Sequence, residues 1–383
     1  MKKKGKPYLD YYKKHNISPG LSKVDLKLHS NQRTFLYTKL GITPSSIQNK
    51  NILEFGPGNG LNAIITNSFN PKKYFLVDAN PAGIKNCKKN FTKYSKTKNW
   101  KVINNNIYNF SIKKKFDLVI CECLLPQQIN PKKMANHCAK YTSKGGIFVL
   151  TCHDYVSTLS ETLKCLPAWM VANKMSDFKK QTIFLTKIFK KQLSFLKGMT
   201  RTPEDWVRDN VINTEFWQDA PLFSIDEAID SLKNNFYVYK TFPNFVDDWR
   251  WYKITKDFKK TENQFIKEKY IKNLHNFIDW RVIGFQQTVK QNNLLRLKCK
   301  SVRFCVKKYF VNFEEKYLKR IIFDCENIKE ILPKSHNLTK KSINEVILLI
   351  KYFLKNKTIK LSHFNKIASW WGRGLQYVSF IKK

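Results

Sequence analysis

The segment Asn51–Gly60 reads NILEFGPGNG, a short apolar run followed by three alternate glycines. The run predicts a buried strand, and the glycines predict a tight turn into a helix, because glycine adopts positive φ and lets a ligand approach the backbone. A strand, a glycine loop and a helix in this order bind nucleotide-like ligands at the carboxyl edge of a parallel sheet. Glu54 precedes the glycines. Its carboxylate would repel a pyrophosphate, so the segment favours a ligand that carries an ammonium or sulfonium group.

After the glycine loop, apolar runs alternate with segments of helical character. The runs occupy residues 73–77, 100–103, 116–121 and 147–151. This alternation predicts βαβ units and a parallel sheet, whose strands end at one common edge. Polar residues follow three of these ends: Asp78, Asn106 (or Asn105, if the strand register differs by one) and Glu122. An acid about twenty residues after the glycines is expected to bind ribose hydroxyls.

Together these positions resemble the cofactor motifs of class I S-adenosylmethionine-dependent methyltransferases in order and spacing. The residues that carry the resemblance are Glu54, Gly56, Gly58, Gly60, Asp78, Asn106, Ile107 and Glu122. The resemblance implies a methyltransferase with S-adenosylmethionine (SAM) as cofactor. It also implies an α/β fold, a Rossmann-like sheet of seven strands with the last one antiparallel, here with large helical insertions.

The resemblance further implies a role for several side chains. Asp78 is expected to bind the ribose hydroxyls. Asn106 stands where the family usually has Asp, and its amide carbonyl can still accept a hydrogen bond from the adenine amino group. Ile107 follows Asn106 as the apolar residue beside the adenine ring. The backbone amide at this position is expected to face the ring. Glu122 is expected to contact either the methionine ammonium group or the substrate, the alternative being a solvated strand end.

The same reading divides the chain into six segments. They are an N-terminal arm and helix (1–50), a SAM-binding core (51–155), a helical substrate-side segment (156–233), strand six with an aromatic loop (234–252), a helical insertion (253–370) and a C-terminal strand that completes the core (371–383). Phe236–Thr241 and Gln376–Lys382 are the predicted strands six and seven. Tyr8, Tyr11 and Tyr12 on the arm either cover the cofactor site as a lid or pack on the core.

Catalytic and substrate-binding candidates follow the core. His153 and Asp154 come directly after strand five, beside the expected substrate pocket, and a neutral histidine is a natural proton acceptor. A structural, hydrogen-bonded histidine is the competing interpretation. Arg250, Trp251 and Arg373 are candidates for binding a ring or an anionic sugar nucleotide by stacking and bidentate contacts. Their competing interpretation, suggested by the density of tryptophans, is a place in the core.

Composition constrains the remaining possibilities. The chain has 70 Lys and Arg against 29 Asp and Glu, a net charge of +41. This charge indicates either a nucleic-acid or anionic-surface binder, or a compositional bias, since lysines are spread along the whole chain. Nine cysteines without a Cys-x-x-Cys pair predict neither a metal site nor a disulfide framework, and fit a reduced cytoplasm. No apolar run is long enough to span a membrane, and no secretory signal is apparent.

The sequence thus predicts a cytoplasmic SAM-dependent methyltransferase that acts on a small-molecule or saccharide acceptor. It is also similar to bacterial methyltransferases associated with surface polysaccharide and small-molecule modification. The alternative is an RNA or protein methyltransferase that uses the basic surface. CECLLP at residues 121–126 replaces the Asn-Pro-Pro-Tyr type of motif after strand four, which disfavours methylation of base amino groups. The acceptor atom, the need for a general base and the oligomeric state stay open.

Overall fold

The computed structural model describes residues 7–20, 24–172, 175–213, 221–254, 256–359, 362 and 367–383. The chain divides into two compact units. The first comprises Met1–Cys152, Glu215–Lys267 and Gln376–Lys383, and the second comprises His153–Thr214 and Glu268–Leu375. Each unit therefore combines segments that are distant in sequence.

The first unit is built on a seven-stranded sheet. Its strands are β1 (Asn51–Phe55), β2 (Lys73–Asp78), β3 (Trp100–Asn104), β4 (Phe116–Cys121), β5 (Thr142–Cys152), β6 (Phe236–Phe242) and β7 (Gln376–Lys382). The order is β3-β2-β1-β4-β5-β7-β6. Strands β1 to β5 pair in parallel, whereas β7 runs antiparallel to both β5 and β6. The predicted fold class is confirmed, with the last strand antiparallel.

The strand order reverses between β1 and β4, which are neighbours in the sheet. From β1 the chain continues to β2 and β3 on one side, and from β4 it continues to β5 on the other. Connections that leave in opposite directions open a crevice at the carboxyl ends of the two central strands, where α/β sheets bind ligands. The glycine loop that follows β1 lies at this crevice.

Strand β5 begins earlier than its sequence indicates. The apolar run predicts a start at Ile147, whereas the strand begins at Thr142. Thr142 pairs with Phe116, and the register then shifts so that Ile147 pairs with Leu118. Gly145, at φ +72°, lies within the irregular part. Gly145 and Gly146, a pair that is typical of turns, therefore belong to an interruption inside the strand.

Among the described residues, six α-helices lie wholly in the first unit: α1 (Pro7–His15), α2 (Leu26–Lys39), α3 (Leu61–Asn67), α4 (Pro81–Tyr94), α5 (Pro131–Ala139) and α9 (Ile225–Leu232). Helix α4 shows how the sequence sets a helix start. The side chain of Asn80 accepts a hydrogen bond from the backbone of Ala82, and Pro81 takes the first helical position. Helix α9 packs against α5, so it belongs with the sheet, although it falls inside the predicted substrate-side segment.

The second unit is helical. It contains α6 (Leu159–Ala172), α7 (Phe178–Leu193), α8 (Pro203–Val207), α11 (Val289–Asn312), α12 (Glu315–Ile331) and α13 (Asn337–Asn356), and α10 (Phe258–Lys272) enters it from the first unit. None of the described helices is both long and apolar enough to cross a membrane.

Two adjacent tryptophans form part of the core of the second unit. Trp370 and Trp371 are almost completely buried. The indole of Trp370 donates to the carbonyl of Ile278 at 2.9 Å, and that of Trp371 donates to the carbonyl of Gln192 at 3.0 Å. Both polar atoms are thus satisfied, so the rings are buried without a desolvation penalty. These tryptophans are core residues of the second unit.

Trp371→Ala is expected to lower the free energy of unfolding by about 3–5 kcal/mol, because it removes a buried ring and leaves a cavity. The measurement is chemical denaturation followed by circular dichroism. Trp249→Ala is the matched control, since Trp249 is 95% exposed, and it should change the free energy by no more than about 0.5 kcal/mol. Equal effects of the two substitutions would contradict the assignment of Trp371 to the core.

Candidate cofactor site

The glycine loop has the left-handed backbone that its sequence predicts. Gly56, Gly58 and Gly60 have φ values of +70°, +57° and +80°. The amide of Gly56 donates to the carbonyl of Val77 at 2.9 Å, which ties the loop to the end of β2. A Cβ atom at Gly60 would lie 2.6 Å from the sulfur of Cys87. Side chains at these positions would be strained, and their absence lets a ligand approach the backbone of the loop closely.

Asp78 connects the end of β2 to the same loop. One carboxylate oxygen accepts from the backbone amide of Asn80 at 2.8 Å, and the other accepts from the amide of Gly58 at 3.2 Å. Burial raises the pKa of Asp78, whereas these amide hydrogen bonds lower it. The carboxylate is therefore held in a fixed position against the glycine loop.

Glu54 is a buried carboxylate at the end of β1. It is 3% exposed and accepts a hydrogen bond from the hydroxyl of Tyr74. Burial, and secondarily the charge of Glu122, raises the pKa of Glu54 to about 7. The side chain is thus poised between its neutral and charged forms near neutral pH. A cation bound beside it would favour the charged form.

Glu122 follows β4 and forms a buried ion pair. Its carboxylate lies 2.7 Å from the guanidinium of Arg33 on α2, and the two side chains are 7% and 6% exposed. Its other oxygen accepts from the side-chain amide of Asn62 on α3 at 3.3 Å. A solvated strand end is therefore excluded for Glu122, because the side chain is enclosed by α2, α3 and the sheet.

Helix α2 contributes residues that the sequence did not identify. The guanidinium of Arg33 also donates to the hydroxyl of Tyr37 at 3.0 Å. His29, one turn earlier, is 5% exposed, and its Nε2 atom has no hydrogen-bond partner among the described residues. Burial, followed by the charge of Arg33, lowers the pKa of His29. No local motif marks these residues, since their partners lie far away in sequence: Arg33 and Glu122 are 89 positions apart.

The adenine-side candidates lie just after β3. The side-chain oxygen of Asn106 accepts from the backbone amide of Tyr108 at 3.1 Å and caps a short 3₁₀ turn. The preceding residue, Asn105, donates its backbone amide to the carbonyl of Asp78 at 2.9 Å, which aligns this turn with the end of β2. Ile107 is buried. The adenine roles of Asn106 and Ile107 stay predictions.

The N-terminal arm reaches the glycine loop. The carbonyl of Ile17 accepts from the side chain of Asn80 at 3.0 Å. The carbonyl of Pro19 lies 3.1 Å from the place where a Cβ atom at Gly58 would stand. Tyr11 and Tyr12 are buried, whereas the side chain of Tyr8 lies outside the described residues. The arm therefore packs on the first unit through its tyrosines and also covers part of the loop.

The predicted catalytic residues begin the second unit. Burial, followed by the charge of Arg303, lowers the pKa of His153 to about 4, so the imidazole is neutral at pH 7. Its Nδ1 atom has no hydrogen-bond partner among the described residues. Asp154 is buried, accepts from the amide of Val156 at 2.7 Å, and lies 3.0 Å from the guanidinium of Arg296. Asp154 thus helps to fix the start of the second unit, and catalysis by either residue stays a prediction.

The predicted substrate residues have different environments. In the first unit, Arg250 lies 2.7 Å from both Asp248 and Glu262, while Trp251 is 58% exposed, which rules out a core position for this ring. In the second unit, the guanidinium of Arg373 donates to backbone carbonyls, among them that of Asp279 at 2.5 Å and that of Trp280 at 3.0 Å. Through these hydrogen bonds Arg373 fixes the backbone of the segment around residue 280. Its substrate role stays a prediction.

Comparison with known proteins finds a family match over part of the chain. Residues 47–208 match the model of a family described as a methyltransferase domain. The chain contains a methyltransferase domain. The methyltransferase resemblance seen in the sequence is confirmed, and a methyltransferase domain implies SAM as its cofactor. A search of curated proteins finds no match.

Several solved structures are similar to part of the methyltransferase. One is an S-adenosylmethionine-dependent methyltransferase from Clostridium acetobutylicum, with 20% identity over 40% of this chain and 58% of that chain, and a TM-score of 0.30. Another is N-methyltransferase NodS from Bradyrhizobium japonicum in complex with S-adenosyl-L-homocysteine. It has 19% identity over 39% of this chain and 74% of that chain, and a TM-score of 0.32. A third is a methyltransferase from Thermoplasma acidophilum, with 16% identity over 28% and 46%, and a TM-score of 0.25. The chain therefore spans about half the length of the first and third structures.

The described residues contain no group of three or more His, Cys, Asp or Glu side chains that is arranged to hold a metal ion. None of the nine cysteines, all of which lie in the described part of the chain, forms a disulfide, and Cys123 alone among them is exposed. The side chains at the crevice are carboxylates, amides and a guanidinium. Groups of this kind bind an organic ligand through charge and hydrogen bonds.

The affinity for SAM is expected to increase about tenfold between pH 6 and pH 8, because Glu54, with a pKa of about 7, becomes charged over this range and attracts the cationic cofactor. The measurement is isothermal titration calorimetry at several pH values. Glu54→Gln should remove most of this dependence, since the amide does not titrate. An unchanged pH profile in the Gln variant would show that another group is responsible.

Proposed function

We propose that this protein transfers the methyl group of SAM to a small-molecule or saccharide acceptor in the cytoplasm. The observation that carries the proposal is the meeting of three acidic side chains, Glu54, Asp78 and Glu122, around a glycine loop at the switch point of the sheet. The methyltransferase domain supports the reaction class. The free thiols fit a reducing compartment.

The residues present fit the charges of SAM. The cofactor has an adenosyl group, a sulfonium, and an amino acid end with one ammonium and one carboxylate. Asp78 would hold the ribose, and Asn106 with Ile107 the adenine. Glu54 and Glu122 are the groups that would face the cationic part. Among the described residues, Arg33 is the one guanidinium paired with Glu122. It would therefore bind the carboxylate of the amino acid end of SAM.

When bound, SAM supplies a methyl group on a positively charged sulfur, which an acceptor nucleophile can displace. The chain contributes mainly by orienting the reactants and excluding water. The arm that covers part of the glycine loop would help to exclude water. Where the acceptor must lose a proton, His153 is the proposed base: its imidazole is neutral at pH 7, and its lowered pKa of about 4 makes it a weak one.

A saccharide acceptor is supported by the aromatic loop after β6. Trp249 is 95% exposed, Trp251 58% and Tyr252 75%, so three rings are accessible within four residues. Exposed rings of this kind stack on the apolar faces of sugar rings. Arg250 is held beside them by Asp248 and Glu262, which orients the backbone of the loop. The net charge of +41 favours instead the second candidate, an RNA or protein methyltransferase.

The proposed orientation of SAM is tested by two substitutions and two ligands. Asp78→Ala should weaken binding of both SAM and 5′-methylthioadenosine by about 1–3 kcal/mol, because both ligands have the ribose. Arg33→Met, combined with Glu122→Gln to avoid a buried unpaired charge, should weaken binding of SAM alone, since 5′-methylthioadenosine lacks the amino acid end. Calorimetry gives the affinities and thermal melting checks the fold. Equal loss for both ligands in the double variant would overturn the assigned orientation.

The acceptor class is tested by offering sugar nucleotides, total RNA and a protein extract separately to the full chain with methyl-labelled SAM. Label in the sugar-nucleotide fraction, lost in Asp78→Ala, is the expected result. Label that enters RNA or protein would establish the second candidate instead. Absence of transfer to sugar nucleotides, while calorimetry shows SAM bound, would contradict the proposed acceptor class.

A further inference from the structure

Helix α11 in the second unit has an exposed apolar stripe. Leu297 is 62% exposed, Phe304 54% and Val311 68%, and Leu294, at 45%, extends the stripe by one turn. The spacing of seven residues from Leu297 to Phe304 and from Phe304 to Val311 places these side chains along one side of the helix. The opposite side is buried through Leu295, Val302 and Val306, among others. The helix is therefore apolar on two sides, one of which faces solvent.

The exposed stripe lies among lysines. Helix α11 contains seven Lys and Arg residues and neither Asp nor Glu. Lys290, Lys300 and Lys308 fall on the same side as the stripe, within about a quarter turn of it. The ammonium of Lys308 lies 5.5 Å from the centre of the Phe304 ring. We name these three lysines, together with Leu294, Leu297, Phe304 and Val311, the α11 face.

The acidic residues near α11 lie close to cations outside the α11 face. Asp324 on α12 lies 3.5 Å from the ammonium of Lys298 and accepts from the hydroxyl of Ser301 at 2.6 Å. Asp154 pairs with Arg296, and Arg303 is buried. These acids thus accompany cations on the side of α11 that faces the unit, whereas the helix itself places no acidic residue on the α11 face. Phe323 on α12, 53% exposed, lies 5.3 Å from Lys298 and borders the face.

We propose that the α11 face binds the surface of an anionic membrane, with its apolar side chains at the boundary of the acyl chains and its lysines at the headgroups. Apolar side chains flanked by lysines are typical of helices that lie in the membrane interface, where the lysines extend toward the headgroups. Each lysine near an anionic bilayer contributes to binding through charge. This property is independent of methyl transfer.

Two other occupants fit the face less well. RNA is bound by aromatic stacking and by hydrogen bonds from arginine, and leucine and valine offer neither. A second copy of the chain would place lysines against lysines across a two-fold axis, which costs energy. An anionic lipid surface satisfies both the apolar and the charged part of the face.

The test is flotation of the full chain with phosphatidylcholine vesicles, with and without about 30% phosphatidylserine. The expected result is flotation with the anionic vesicles only. Leu297→Ser combined with Phe304→Ser should reduce the bound fraction about tenfold or more, because it removes apolar area without changing charge. Leu338→Ser with Leu348→Ser is the matched control, since these leucines of α13 are 49% and 56% exposed. It should leave binding within about twofold.

Several outcomes would overturn the proposal. Equal binding by the Leu297/Phe304 variant and the wild type would show that diffuse charge alone is responsible. Binding of RNA that the same variant loses, without binding to vesicles, would assign the face to RNA. A dimer in light scattering that this variant dissociates would assign the face to self-association. Thermal melting of both double variants at the wild-type temperature confirms that they are folded, as expected for exposed positions.

Discussion

The burial of two carboxylates at the ends of adjacent parallel strands constrains the rest of the cofactor site. Glu54 and Glu122 are removed from water, which is costly for charged groups unless a partner compensates. Arg33 compensates Glu122, and the hydroxyl of Tyr74 satisfies part of Glu54. The negative charge of Glu54 is therefore only partly compensated, which explains why the pKa of Glu54 is raised. A cationic cofactor would supply the missing charge, so that binding and the stability of the first unit are coupled.

Much of the first unit could be predicted because its signals are local. Alternate glycines, apolar runs of strand length and an acid at the end of β2 each depend on residues close in sequence. The final strand was predictable for the same reason, since Gln376–Lys382 contains aromatic and β-branched residues typical of strands. The start of β5 was missed because Gly145 and Gly146 are the usual signal of a turn, whereas pairing with β4 continues through them. Long-range pairing overrode the local signal.

The partners of the charged side chains could not be predicted, since they depend on contacts between distant segments. Arg33 looks like an ordinary helical arginine in the sequence, yet it is buried against Glu122. Arg373 looks like a substrate ligand beside two tryptophans, yet its donors serve backbone carbonyls of the segment around residue 280. The exposed Trp251 and the buried Trp371 have equally aromatic neighbours in sequence. Only the fold distinguishes a core ring from an accessible one.

The position of β7 has a consequence for the order of folding. This strand lies between β5 and β6, and β6 joins the sheet only through it. Residues 243–375, which include most of the second unit, are synthesised after β6 and before β7. Until β7 is present, β5 and β6 each have an edge with unpaired backbone groups, which is prone to pair wrongly. The closing of a loop of this length is a non-local and therefore slow step. We expect the helical segment to be formed, at least in part, before the sheet of the methyltransferase domain is complete.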